Sequence, residues 1–248
     1  MYYVEITEPG AGEVIQFHDI LVEAFPDPYV REDVEILQEK MQEGSWKSEN
    51  EVCRYHLIVA LREDQVVGGT SFYFFNQIKG TDLKPTALGM GSYLAVKKHF
   101  RGNGIGTELI ELRDQTLSRN ARELDCHLRG LIIQVSDPGL MSAEEIDRDP
   151  MNPRKREEFW KRRGYRKIDF NFIQPAIRVD EPPIEYLSLY MLPYCQQWKD
   201  MKSISRDDLW DVVYCFIRCT GTVGPPETDP SYLRMRSELV SHEYFQVL

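Results

Sequence analysis

No stretch of this 248-residue sequence approaches the run of ~18 apolar residues that crosses a bilayer. The N-terminus lacks a basic segment followed by an apolar core, so no secretory leader is expected. Cysteine is scarce. Cys53, Cys126, Cys195, Cys215 and Cys219 are odd in number and form no C-x-x-C pair, which argues against a disulfide framework or a structural zinc site. Cys215 and Cys219 share an expected helix, but no histidine joins them at ligand spacing, so burial accounts for them and no metal site is expected. Positive charge is in deficit: 30 Lys and Arg against 40 Asp and Glu give a formal charge of −10. Phosphate repels such a chain, so general nucleic-acid binding is disfavoured, while cationic small molecules are tolerated better. Internal repeats and low-complexity segments are lacking too. What remains is a chain expected to be soluble and cytoplasmic, with no membrane or nucleic-acid partner. Its 42% hydrophobic content suits one large domain or a domain with an appendage.

The apolar periodicity is that of a mixed α/β fold. "YYVEIT" is rich in β-formers and is expected to be a strand. "GEVIQFHDILVEAF" places Val14, Phe17, Ile20, Leu21 and Phe25 on one helix face. "REDVEILQEKMQEG" predicts a second helix, ending near Gly44. "RYHLIVALRED" and "QVVGGTSFYFF" flank a polar turn at Glu63 to Gln65, the pattern of a hairpin. A strand over residues 88–96 follows. A helix from about Gly104, with Ile105, Leu109, Leu112 and Thr116 at helical spacing, comes next. "GLIIQVS" is a buried strand, and the polar "SAEEIDRDPMNP" is a loop with room for one helical turn. Asn152 and Pro153 open a helix that Gly164 closes. "YRKIDFNFIQP" and "EYLSLYML" supply two more strands. After Pro193 the pattern becomes helical, with Ser205 and Asp229 as caps and Gly221 as a stop. The expected organisation is residues 1–193 as one domain and 194–248 as a two-helix extension. Leu209, Trp210, Val213, Tyr214, Phe216 and Ile217 give that extension enough apolar surface to cover a domain face or a second subunit in a homodimer.

"KKHFRGNGIGTELIEL" carries the chemistry. It puts Gly102, Gly104 and Gly106 between a strand and a helix, with Arg101 just ahead. The first N–H groups of a helix lack partners and carry partial positive charge, which suits a phosphate. Glycines remove the Cβ atoms that keep a phosphate away, and an arginine adds a fork of donors. A Walker loop is excluded, since Thr107 and Glu108 follow the last glycine instead of Lys and Ser/Thr. A dinucleotide fingerprint is excluded because the spacing is G-x-G-x-G. A tight turn that glycine merely eases is the plainer alternative.

"LAVKKHFRGNGIG" resembles the acetyl-CoA signature of the GNAT superfamily of N-acetyltransferases, Q/R-x-x-G-x-G/A after a strand ending in Leu-x-Val. "EAFP", "LREDQVVGG" and "FWKRRGYRKIDF" fall where that family has counterparts, so the resemblance covers about residues 1–193. It implies a GNAT-like α/β fold of the α+β type, with a mixed, partly antiparallel central sheet flanked by helices. Two central parallel strands would splay around the pantetheine of acetyl-CoA, the acyl donor. Leu94, Ala95 and Val96 would pair with its amides, one of them polarising the thioester carbonyl. Arg101, Gly102, Asn103, Gly104, Ile105, Gly106 and Thr107 would hold the pyrophosphate. The implied activity is acetyl transfer to a primary amine of a small molecule or a protein. The alternative is a module that binds a CoA thioester without efficient turnover.

The sequence departs from the family at the proton donor. Trp160 stands where a tyrosine often protonates the thiolate, and indole is no practical acid. Trp160 is either a core aromatic or part of the cofactor wall. Residues 152–167 hold eight basic and two acidic side chains, of which Arg156 and Arg163 are candidates for the 3′-phosphate, unless the island is a solvated face. No catalytic base stands out. Asp137, Glu144 and Glu145 suit ordinary loop carboxylates better, Tyr93 suits the core, and His127 beside Cys126 is not a dyad. The acceptor is not legible.

Overall fold

The structure is a computed structural model and describes residues 1–49, 51–77, 85–178, 181–220 and 228–248. The chain divides into two compact units, Met1–Pro26 with Arg31–Arg129, and Asp27–Val30 with Gly130–Leu248. It is mixed α/β, with mostly antiparallel sheet flanked by helices, as the sequence implied.

In the first unit, β1 (Tyr2–Glu5) pairs antiparallel with β3 (Glu51–Arg62), β3 with β4 (Gln65–Gln77), and β4 with β5 (Thr86–Val96); β2 (Trp46–Lys47) also pairs with β3. The helices are α1 (Gly12–Ala24), α2 (Val34–Glu43) and α3 (Ile105–Glu123). Val14, Phe17, Ile20 and Leu21 of α1 are buried as the periodicity required, while Phe25 lies just past the helix and meets Tyr93 edge-on, ring centroids 5.7 Å apart. The hairpin turns on Glu63 (φ 51°) and Asp64 (φ 60°). Positive φ at both central residues is the twist-matched hairpin turn, usually given to Asn-Gly. The double substitution Glu63→Asn/Asp64→Gly is therefore expected to raise the thermal midpoint by about 2–4 °C, the equivalent of ~1 kcal/mol in a chain this size. An unchanged midpoint would mean that the lost Tyr2 hydroxyl bond to Asp64 Oδ1, 2.8 Å long, matters as much as the turn.

Ile105, Leu109 and Thr116 of α3 are buried as expected, but Leu112 is only half so, and Arg113 at 1% exposure joins the inward face with Leu117 and Asn120. The stripe follows the i, i+4 rows from Ile105, which a hydrophobicity count passes over because the row carries polar residues. Asn120 completes a seam between α3 and the sheet. Arg54 Nη1 donates to Asn120 Oδ1 (2.6 Å), so the Asn120 amide nitrogen faces His56 Nε2 (2.8 Å). That nitrogen must then be the unprotonated one, and His56 Nδ1 donates to Glu5 Oε1 at 2.5 Å.

In the second unit, residues Gly130–Ser136 of β6 (His127–Ser136) pair antiparallel with β8 (Leu187–Pro193), and β8 with β7 (Arg166–Lys167). The helices α4 (Ala143–Arg148) and α5 (Pro153–Lys161) fill the connection, α4 closed by a capping box from Ser142 and Glu145, α5 capped by Asn152. The strand expected over "YRKIDFNFIQP" is broken up. Lys167 exchanges backbone bonds with Leu248, Asp169 N–H reaches Gln246, and Phe170 and Phe172 bond two residues back. Its β-rich composition is thus spent on pairing with the chain's far end. Beyond Pro193 lie α6 (Gln196–Asp200), β9 (Ser203–Ser205), α7 (Arg206–Thr220), α8 (Pro230–Ser241) and β10 (Tyr244–Gln246), with β9 and β10 forming a small second sheet. Two helices alone were expected there. Ser205 and Asp229 cap α7 and α8, and the expected stop at Gly221 lies outside the described residues. Leu209, Val213, Phe216 and Ile217 are already buried within the single chain, so they form no exposed subunit face. Among the described residues no helix is long and apolar enough to cross a membrane.

Candidate functional site

The register of β4 and β5 sets the site. Gly69 pairs with Ala95 and Thr70 with Leu94, and Lys97 N–H bonds Val67 O. An antiparallel ladder alternates its bonding direction. Ala95 therefore directs its N–H to β4, and Leu94 and Val96 direct theirs to the opposite edge. The register slips by one residue between Ser71 and Phe72, leaving Ser92 as a bulge two positions before Leu94.

Past Val96 the chain makes a short 3₁₀ turn at Lys98–Phe100 and enters the glycine loop. Gly102 and Gly104 both have φ +83°, so glycine is required by the backbone at these two positions. Gly106 is different. Its φ is ordinary, and a Cβ there would meet only Val96 Cγ2, at 3.9 Å. Gly104 is the N-cap of α3. Arg101 N–H is taken by Lys98 O and Thr107 N–H by Gly104 O. Among the described residues, no acceptor meets the N–H groups of Gly102, Asn103, Gly104, Ile105 or Gly106. A row of five such donors at a helix N-terminus is a nest for an anion. Arg101 spends Nε on Val96 O at 2.9 Å, so its side chain braces the end of β5 against the loop and leaves the two terminal guanidinium nitrogens for a ligand. Glu108 in the first turn of α3 offsets part of this positive field.

The other sequence candidates fare unequally. Trp160 is buried, edge-on to Phe159 (5.0 Å) and Tyr165 (4.9 Å), which is a core environment. Most of the basic island is occupied internally. Arg156 holds Asp149 at 2.6 Å and Ser136 at 3.1 Å, and Arg163 lies 3.6 Å over the Phe159 ring with a bond to Phe159 O. Lys161 pairs with Glu157, Arg166 with the carbonyls of Met201 and Trp198, and Lys167 with Asp137. Neither Arg156 nor Arg163 is a ready phosphate ligand. Glu145 is used in its capping box and Glu144 faces Arg148 on an exposed turn.

Asp137 is 7% exposed and accepts from Lys167, from Ser188 Oγ (2.8 Å) and from Gly139 N–H (2.9 Å). Burial alone would raise its carboxyl, but those three donors outweigh it and hold it below the ordinary range, which suits a structural anion and not a base. A carboxyl depressed in the folded state stabilises the fold above its unfolded pKa, and that contribution is lost as pH falls through the folded value. Asp137→Asn is therefore expected to be less stable than the parent at neutral pH, and the gap is expected to close on acidification below pH ~4. A gap that stays constant across the titration would contradict the assignment.

The model of the Acetyltransferase (GNAT) family matches residues 14–129. Residues 14–129 are a GNAT acetyltransferase domain. Among solved structures, a GNAT-family protein from Bacteroides thetaiotaomicron is 15% identical, with 90% of this chain and 100% of that one covered and a TM-score of 0.54. At that identity the likeness shows the fold. The aminoglycoside 6′-N-acetyltransferase from Enterococcus faecium is 16% identical, with coverage of 79% and 100% and a TM-score of 0.45. No curated protein matches the sequence.

The GNAT domain spans α1 to the start of β6, so the glycine loop and the β5 edge both fall inside it. The sequence reading missed a buried polar cluster around Glu32, a residue that the pattern places in the second helix but that lies before α2 begins at Val34.

Proposed function

We propose that this GNAT domain is an acetyl-CoA-dependent N-acyltransferase that acts on a primary amine. The observation that carries the reading is the row of unbonded N–H groups from Gly102 to Gly106, placed directly after a strand whose Leu94 and Val96 amides face away from β4. The row suits a pyrophosphate, with Arg101 alongside, and the strand suits the amides of a pantetheine arm. When bound, acetyl-CoA supplies the activated acyl group. In this reading Leu94 N–H donates to the thioester oxygen as charge develops there, which lowers the barrier to amine attack. Thr107 N–H is committed to Gly104 O and adds nothing to the row. With Trp160 buried among aromatic rings, the leaving thiolate takes its proton from solvent.

The test is the release of free thiol from acetyl-CoA across a panel of amines, with a thermal-shift titration of coenzyme A alongside. Amine-dependent thiol release with ligand stabilisation supports the enzyme. Stabilisation without turnover is the outcome for a CoA-thioester-binding module that assembles or senses, which the loss of the usual tyrosine favours. No stabilisation at millimolar coenzyme A would sink both.

A further inference from the structure

Glu32 lies between α1 and α2 and is 7% exposed. Its Oε1 pairs with Lys40 Nζ, and its backbone N–H donates to the Tyr93 hydroxyl at 3.0 Å. Its Oε2 has no hydrogen-bond partner, and among the described residues it is the sole buried carboxylate oxygen left so. The hydroxyls of Tyr55 and Ser71 are buried as well and have no partner but one another. The Tyr55 ring packs 4.9 Å from Tyr73, and its hydroxyl faces Ser71. Burial first, and the Glu32 charge second, push the Tyr55 and Tyr93 phenols up, so both keep their protons. Unbonded oxygens gathered in one interior place are costly and call for a missing donor. Tyr93 is the neighbour of Leu94 in β5, so the cluster adjoins the strand edge assigned above to the thioester.

We propose that Glu32 receives the acceptor amine, whose two N–H groups donate to Oε2 and to the Tyr55 hydroxyl, which Ser71 holds in place. This deepens the acyltransfer reading and rests on it. The charges around the cluster define the substrate class. Lys40 neutralises Glu32, and the Arg31 guanidinium adds positive charge within reach of Tyr93. A second cation there is disfavoured, which holds an incoming amine in its neutral, nucleophilic form. The rings of Phe25, Tyr55 and Tyr73 supply apolar walls. The acceptor is thus a primary amine on an apolar or aromatic group, not a polycation. In the transfer the amine nitrogen bonds the acyl carbon, the carbon–sulfur bond breaks with its electron pair on sulfur, and one amine proton passes to Glu32 Oε2. Glu32 returns that proton to solvent, and the thiolate takes one up.

The experiment follows free thiol and acetylated product with benzylamine and with spermidine as acceptors, and acetyl-CoA affinity by calorimetry without amine. Glu32→Gln is expected to cut kcat on benzylamine about 100-fold, the scale of a lost general base, with acetyl-CoA affinity unchanged. Since that variant strands Lys40, Glu32→Gln/Lys40→Met removes both charges at similar volume and is expected to show the same loss with a midpoint near the parent's. Tyr55→Phe is expected to raise KM for benzylamine about tenfold, the worth of one hydrogen bond, whereas a purely structural cluster would leave KM alone and gain stability. Parental rates in the double variant, or a preference for spermidine over benzylamine, would overturn the proposal. A parent that binds no acetyl-CoA would instead overturn the acyltransfer reading, and this inference with it.

Discussion

Gly104→Asp is expected to weaken coenzyme A binding by more than about 100-fold, or ~3 kcal/mol. Gly104 has φ +83° and caps α3, with unbonded N–H groups on both sides of it. A Cβ at this position meets nothing nearer than Glu108 Oε1 at 4.0 Å, so the substituent would project where the anion is proposed to lie. Aspartate puts a negative charge into that space, and the two like charges repel at short range in a partly desolvated site. Gly104→Asn is the control. Asparagine has the same shape and tolerates left-handed backbone about as well, but it carries no charge. It is expected to bind within about tenfold of the parent, which reflects crowding alone. Thermal midpoints of both ligand-free variants show whether α3 still forms. Equal affinity of the aspartate variant and the parent would remove the glycine loop as the pyrophosphate site.

The second large effect concerns the contact between α1 and β4. A Cβ built on Gly69 meets Phe17 Cδ2 and Cε2 at 2.7 Å and Ile58 O at 3.1 Å. Phe17 is completely buried, so its ring has nowhere to go. Gly69→Ala is expected to cost about 2–3 kcal/mol, the usual range for an overpacked core. Phe17→Leu alone is expected to cost about 1–2 kcal/mol for the apolar surface and cavity it leaves. The two together are expected to cost at least ~1 kcal/mol less than their sum, because the smaller side chain vacates the space the methyl needs. Chemical denaturation of all four proteins measures this. Strict additivity would mean that Ile58 O, and not the ring, is the obstacle. Gly69 pairs with Ala95 on β5, so a distorted α1–β4 contact is transmitted to the strand that borders the candidate site.

The parts of the fold that were legible are those fixed by local periodicity. The inward face of α1, the hairpin turn and the start of α3 each follow from spacings within a few residues. The glycine loop was legible for the same reason, since Gly102 and Gly104 stand where a left-handed backbone leads a strand into a helix. What was not legible depends on distant partners. Residues 165–175 have the composition of a strand, yet Lys167 and Asp169 bond the chain's last residues and no composition announces that. Arg156 and Arg163 looked available to a phosphate in sequence, but Asp149 and the Phe159 ring reach them first. Glu32 stands in "REDVEILQEKMQEG", whose pattern predicts helix, yet α2 begins only at Val34. The burial of Glu32 is set by Tyr93, sixty-one residues downstream, and by the β-strand that carries it.

The seam around His56 has a spectroscopic consequence. Arg54 fixes the Asn120 amide, the amide fixes which ring nitrogen holds the proton, and Glu5 takes that proton's bond. An imidazole free in water favours the other tautomer and exchanges between the two, whereas this one is locked. Its nitrogen resonances will sit apart from those of His99 and His242, both on the surface. They form a built-in gauge of whether the helix behind the glycine loop stays seated on its sheet when a ligand arrives.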